Sequence, residues 1–227
     1  MSRRDALPNR IRDDPWYRAG VWTVGALTHL GLRIRFHGLE NVPRTGGAIL
    51  APNHISVLDP IVVALGPVKL DRTVRFLAAA EFFDRGRGVV AWGLRKFRQI
   101  PVRRGRADWT ALEEIASVVR SGALAGMFPE GRMGDGVELQ KAQRGLARIA
   151  LSAGAPIVPV GIWGTHVRWP RDGLRWDLPL RTRVSVVYGP PIEAIGDAHD
   201  RRETIDLTSR VMDEIGKVLS VAQSDPV

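Results

Sequence analysis

Residues 48–65 read A-I-L-A-P-N-H-I-S-V-L-D-P-I-V-V-A-L. Ala48–Ala51 is a continuous apolar run of the kind that forms a strand buried on both faces. Ile61–Leu65 is apolar again, and Pro60 before it is tolerated in the first turn of a helix. Between them lie Asn53, His54, Ser56 and Asp59. On one helix His54 and Asp59 would point about 140° apart, so they cooperate only with His54 in the turn after the strand and Asp59 in the first helical turn. Ser56, three residues before the acid, resembles a helix-start box, although that box normally uses Glu or Gln, and places the helix start near Ser56. A carboxylate bonded to one imidazole nitrogen fixes the tautomer and leaves the other nitrogen to take a proton. An amide at position 59 is expected to hold the wrong tautomer. The plain alternative is a loop histidine beside a capping aspartate.

The same alternation continues outward. Arg33–His37, Val74–Ala79, Gln99–Val102, Ala123–Phe128, Ile157–Ile162 and Arg183–Tyr188 read as strands. Asp108 starts a helix running to about Ser121 and stopped by Gly122, and Arg144–Ala153 is a helix stopped by Gly154. Arg201–Val221 closes the chain as an amphipathic helix. Short apolar strands alternating with helices predict a single α/β domain, a mostly parallel sheet with helices on both faces. In such sheets sites lie beyond the carboxyl ends of strands. His54, Arg104 and Glu130 all follow predicted strands directly. Trp163–Leu180 reads as a long irregular loop. Gly86–Ala91, G-R-G-V-V-A, formally matches a dinucleotide-binding pattern but lacks the strand before it that the motif requires. The apolar residues of Glu81–Phe97 are better read as a lipid-facing or substrate-entry segment.

Residues 1–32 stand apart as an N-terminal helical segment ahead of a domain at 33–227. Trp16–Leu32 would reach about 25 Å as a helix, short of a ~30 Å hydrocarbon core. It carries Arg18 and His29, with Trp16, Tyr17 and Trp22 of the types that settle at headgroup level. An interfacial helix fits better than a span; an ordinary core-packing helix is the alternative. The 227 residues, 44% hydrophobic and 25% charged, suffice for a folded core. The absence of cysteine excludes disulfides, thiolate metal sites and cysteine nucleophiles. His29, His37, His166 and His199 lack partners at metal-ligand spacing and read as incidental. The net charge of +9 calls for an acidic partner, and without a long basic run or nucleic-acid motif that partner is read as lipid headgroups rather than nucleic acid.

N-H-x-S-x-x-D at Asn53–Asp59, I-P-V-x-R at Ile100–Arg104, F-P-E-G at Phe128–Gly131 and P-I-V-P-V-G at Pro156–Gly161 occur in that order. Together they resemble the glycerolipid acyltransferase family that includes 1-acyl-glycerol-3-phosphate acyltransferase, over roughly Phe36 to Pro191. The resemblance implies transfer of an acyl chain from acyl-CoA or acyl-carrier protein directly to the hydroxyl of a lysophospholipid, without cofactor or metal. It implies His54 as general base, Asp59 as its orienter, and Asn53 and Ser56 as supports. Arg104, Glu130, Gly131 and Arg132 would bind the acceptor. It also implies a peripheral or monotopic place at an anionic membrane surface, on the cytoplasmic face of the cell membrane. Two departures touch the acceptor phosphate. Arg132-Met133 follow Gly131 where the family usually has Thr-Arg, and Ala78–Ala80 stand where it commonly carries a lysine. Another lysophospholipid, a glycolipid, or a non-catalytic basic membrane-binding role are the alternatives.

Overall fold

The computed structural model describes residues 10–84, 88–103, 108–136, 138–175, 177 and 181–225. Seven strands, β1 (Leu32–His37), β2 (Ala48–Pro52), β3 (Val74–Ala79), β4 (Ile100–Val102), β5 (Leu124–Gly126), β6 (Ile157–Trp163) and β7 (Thr182–Tyr188), form one sheet in the order β1-β7-β6-β2-β5-β3-β4. Every neighbouring pair is parallel except β6 with β7. The carboxyl ends of β2–β6 therefore share one end of the sheet with the amino ends of β1 and β7. The helices are α1 (Pro15–Gly31), α2 (Asp59–Val68), α3 (Glu81–Asp84), α4 (Val89–Lys96), α5 (Trp109–Arg120), α6 (Gly145–Ala153), α7 (Thr165–Arg168) and α8 (Arg201–Ser224).

The expected two-sided burial is visible along β2. Ile49 and Ala51 join the core of Ile115, Leu146 and Ile215 beneath α5, α6 and α8. Ala48 and Leu50 join Val62, Val63, Phe76 and Val186 on the α2 face. Helix α8 lies close on β6, where a Cβ at Gly161 would come within 2.5 Å of the Val218 carbonyl carbon. Asp14 caps α1 through the Trp16 and Tyr17 amides, and its carboxylate also pairs with Arg98. Tyr17 and Val21 pack against Phe97 and Val68, so one stripe of α1 is core. The opposite stripe leaves Trp16, Trp22, Leu27 and Leu30 exposed. No helix among the described residues is long and apolar enough to cross a membrane.

Three expectations are corrected. Helix α2 starts at Asp59, not near Ser56, because the Asp59 carboxylate turns back onto the Ile55 and Ser56 amides and holds 55–58 as a loop. The loop expected over Trp163–Leu180 begins with the helical turn α7, whose Thr165 and Arg168 are buried. In Glu81–Phe97, which contains α3 and α4, Phe83 is buried and cannot face lipid as expected, whereas Phe82, Val89, Val90 and Trp92 are exposed. Part of the G-R-G-V-V-A stretch and Arg104 lie outside the described residues.

Candidate active site

The end of β2 is tied across the sheet before the loop begins. The Asn53 side chain accepts from the Ile162 amide at 2.7 Å and donates to its carbonyl at 3.1 Å, fastening the loop to β6. His54 comes next. Its amide donates to Glu130 Oε1 at 2.8 Å, and its carbonyl accepts from the Gly134 amide at 2.8 Å. Its Nδ1 lies 3.0 Å from Asp59 Oδ2, and its ring stacks on Phe128 with centroids 3.9 Å apart. Phe128 in turn rests on Phe76. The imidazole is thus fixed by a hydrogen bond in its plane and an aromatic face beneath it. Nε2 has no hydrogen-bond partner among the described residues, and the side chain, 17% exposed, borders a cavity.

Asp59 is fully buried and accepts four hydrogen bonds. Oδ2 takes the Ile55 amide at 2.6 Å, the Ser56 amide at 2.7 Å and His54 Nδ1; Oδ1 takes the Thr165 hydroxyl at 2.6 Å. Ser56 Oγ accepts from the Leu58 amide and donates to the Trp169 carbonyl, pinning the loop to the segment after α7.

Glu130 is 3% exposed, with Oε1 on the His54 amide and Oε2 on the Gln140 amide at 2.8 Å. Burial raises its pKa above the ordinary carboxylate value, and the two amide bonds partly oppose the shift. Both oxygens therefore hold backbone on either side of the site. Gly131 has φ 65°, and a Cβ there would meet the Gln143 side chain at 2.6 Å, so the turn closing F-P-E-G requires glycine. Arg132 donates to Gln140 and reaches the cavity wall.

The cavity beside His54 encloses about 450 Å³. Leu77, Val102, Leu112, Met127 and Phe128 give it an apolar side; Arg103, Arg132, Arg144 and Arg148 give it a basic one. None of these four arginines forms an ion pair among the described residues. Asp108, the acid in the lining, is occupied by the Arg103 and Ala111 amides, which hold its carboxyl below the usual range. The Arg148 guanidinium lies 5.5 Å from the Trp109 ring centre, and its buried Nε has no partner among the described residues. Such a cleft suits a substrate with an apolar body and an anionic head next to a proton acceptor.

Phe128, Thr165, Arg144 and Arg148 went unread in the sequence as site residues. Phe128 was visible inside F-P-E-G, and Arg144 with Arg148 carried an i,i+4 signal on a predicted helix. Thr165, far from Asp59 in the chain, had no local signal. His166, read as incidental, is partly buried against Trp163, and its buried Nδ1 has no partner among the described residues. Burial lowers its pKa, and Asp59 partly opposes this. The unfolded chain then binds a proton that the folded one refuses, so stability falls as pH drops below about 6.5. His166→Gln is expected to flatten the fall in Tm between pH 7.5 and 5.5 by a few degrees, read by thermal unfolding. An unchanged slope would remove His166 from that dependence.

A strand-delivered histidine, an aspartate at the next helix start and an arginine-lined cleft define an α/β protein with its candidate site at the carboxyl end of a mostly parallel sheet. The chain belongs to the Acyltransferase family, whose model matches residues 33–163. An uncharacterised protein of Mycobacterium leprae is 28% identical over 227 aligned residues, covering 82% of this chain and 59% of that protein. The chain thus spans about three fifths of that relative. The 1-acyl-sn-glycerol-3-phosphate acyltransferase of Bacillus subtilis is 26% identical, covering 73% of this chain and 77% of its own. The crystal structure of the 1-acyl-sn-glycerophosphate acyltransferase PlsC from Thermotoga maritima superposes with a TM-score of 0.69 at 24% identity. It covers 92% of this chain and 83% of that one, and shows the fold is shared.

Proposed function

We propose that this protein transfers a fatty acyl chain from acyl-CoA or acyl-carrier protein to the free hydroxyl of 1-acyl-glycerol-3-phosphate. The observation that carries the proposal is the His54–Asp59 pair, with Nε2 unpartnered beside a cleft that is apolar on one side and arginine-lined on the other. His54 Nε2 takes the acceptor hydroxyl proton as the oxygen attacks the thioester carbonyl. The tetrahedral intermediate collapses, the C–S bond breaks, and the imidazolium returns the proton to the departing thiolate. Asp59 holds the tautomer and supports the imidazolium. No acyl-enzyme and no metal are needed. The names of the Bacillus subtilis and other matched enzymes support the acceptor.

A lysophospholipid with a larger headgroup, or a glycolipid, is the second reading. It is favoured by Ala78–Ala80 and the shifted Arg132, which alter the family's phosphate-side residues. A non-catalytic scaffold would not need the histidine held on two sides with a nitrogen left over. The exposed Trp16, Trp22, Leu27 and Leu30 of α1, with Phe82, Val89, Val90 and Trp92 of α3–α4, support a peripheral or monotopic place on a membrane surface, assigned to the cytoplasmic face because the proposed acyl donors are cytoplasmic.

The test is incubation of the full chain with labelled acyl-CoA and a panel of acceptors, with products separated by mass. Labelled phosphatidic acid from lysophosphatidic acid is the expected result; product from none of the acceptors would end the acyltransferase reading. Arg148→Lys loses the guanidinium fork and its stacking on Trp109 while keeping the charge. One charge-assisted bond is worth roughly 1.5–3 kcal/mol, so the acceptor KM should rise about ten- to a hundredfold with donor KM little changed. Arg104→Lys and Arg132→Lys belong in the same series. Equal losses for acceptors with and without a terminal phosphate would favour the second reading.

A further inference from the structure

We propose that Arg33, Arg181 and Arg183 form a docking site for the phosphates of anionic lipid headgroups, set at the same end of the sheet as His54. The inference rests on the reading of this protein as one that works at a membrane surface. Three observations meet there. The three arginines together line a concavity of about 460 Å³, and all three are exposed. Arg33 and Arg183 face each other across parallel β1 and β7, so both side chains stand on one face of the sheet edge. Like charges at such a separation repel each other and favour a shared anion. Arg181 sits at φ 71°, a conformation that L-residues rarely adopt, just before β7.

Nearby acid does not neutralise the cluster. Asp225 lies along the same edge but pairs with Arg35 and His37, the next two outward-facing positions of β1. Among the described residues Arg33, Arg181 and Arg183 form no ion pair. Position then selects the source of the anion. β1 and β7 run against β6, so their amino ends lie at the carboxyl end of β2, where the His54 loop begins. Arg33 lies two residues beyond the end of α1, a helix that exposes Leu27 and Leu30 near that end. Apolar side chains for the acyl region beside guanidinium groups for the phosphate plane are the two components of interfacial binding. A bilayer touching this triad lies at the end of the sheet that carries His54, from which a lipid acceptor would enter.

The test is sedimentation of the full chain with vesicles of phosphatidylcholine alone, or of phosphatidylcholine with a third of phosphatidylglycerol. An arginine at an anionic surface changes binding roughly fivefold. Each single Arg→Gln variant should therefore bind the anionic vesicles about fivefold more weakly, and the R33Q/R181Q/R183Q triple on the order of a hundredfold. Neutral vesicles should bind all variants alike. The control is R201Q/R202Q/R210Q on α8, which removes the same charge from exposed positions elsewhere. Equal losses in the two triples would show that only net charge matters and overturn the site. So would unchanged binding in the first triple. Sedimentation does not depend on turnover, so failure of the acyltransferase reading would appear separately, as absence of product from the wild-type chain.

Discussion

His54→Ala is expected to reduce acyl transfer by about 10³–10⁴-fold while the protein remains folded. A positioned general base contributes roughly 10²–10⁴-fold, and the upper part applies where the nucleophile is an unactivated lipid hydroxyl. The geometry explains why the fold should survive. Alanine keeps the amide that donates to Glu130 and the carbonyl that accepts from Gly134. Asp59 Oδ2 loses one donor but retains the Ile55 and Ser56 amides. The lost ring is partly exposed and bordered a cavity, so its removal widens the cleft instead of opening a sealed void. The measurement is kcat at saturating donor and acceptor, with circular dichroism and Tm as fold controls. A folded variant within tenfold of wild-type turnover would remove His54 from the chemistry and leave the cleft as a binding site.

The legible and illegible parts of this site differ in range. Apolar runs and their breakers act locally, so Ala48–Ala51 could be read as a buried strand and Gly154 as a helix stop, and both are so. Parallel topology followed from the alternation of strands and helices. It missed that β7 returns antiparallel to β6 and brings β1 alongside, because strand order depends on pairings between distant segments. The His54–Asp59 contact was legible because five residues force a loop-to-helix geometry on it. What surrounds the pair was not. Thr165 reaches Asp59 from beyond the end of β6, and at the other end of the sheet, away from the site, Arg72 is buried with its guanidinium on the carbonyls of Pro43, Gly46 and Gly122. Neither contact leaves a mark in local periodicity. Glu130 shows a subtler limit. Its place in F-P-E-G marked it for the site, but its carboxylate turns inward onto the distant His54 and Gln140 amides, which no local pattern records.

Asp59→Asn is expected to cost about 10²–10³-fold in kcat, less than the wrong-tautomer reading of an amide would demand. Asparagine replaces two acceptor oxygens with one oxygen and one NH₂ group. At this position the choice between its two orientations is forced. The Oδ2 site faces two fixed backbone donors, Ile55 and Ser56, which an NH₂ group would meet as donor against donor. The Oδ1 site faces the Thr165 hydroxyl, which rotates and can accept instead of donate. The amide oxygen therefore stays toward His54 Nδ1 and preserves the Nδ1–H tautomer, and the loss is confined to the negative charge that supports the imidazolium. Thr165 then becomes the residue that decides the outcome. In Thr165→Val alone Asp59 loses one donor of four, and kcat should fall less than tenfold. In Asp59→Asn/Thr165→Val the NH₂ group faces a methyl in a buried site, an unsatisfied donor worth about 1–3 kcal/mol in lost stability. The double variant should therefore lose more Tm than the sum of the singles, while Asp59→Asn/Thr165→Ser, which restores a rotatable hydroxyl, should not. Additive Tm losses in the valine double variant, or a 10⁴-fold kcat loss in Asp59→Asn alone, would mean that the amide turns the other way and the backbone donors do not set its orientation.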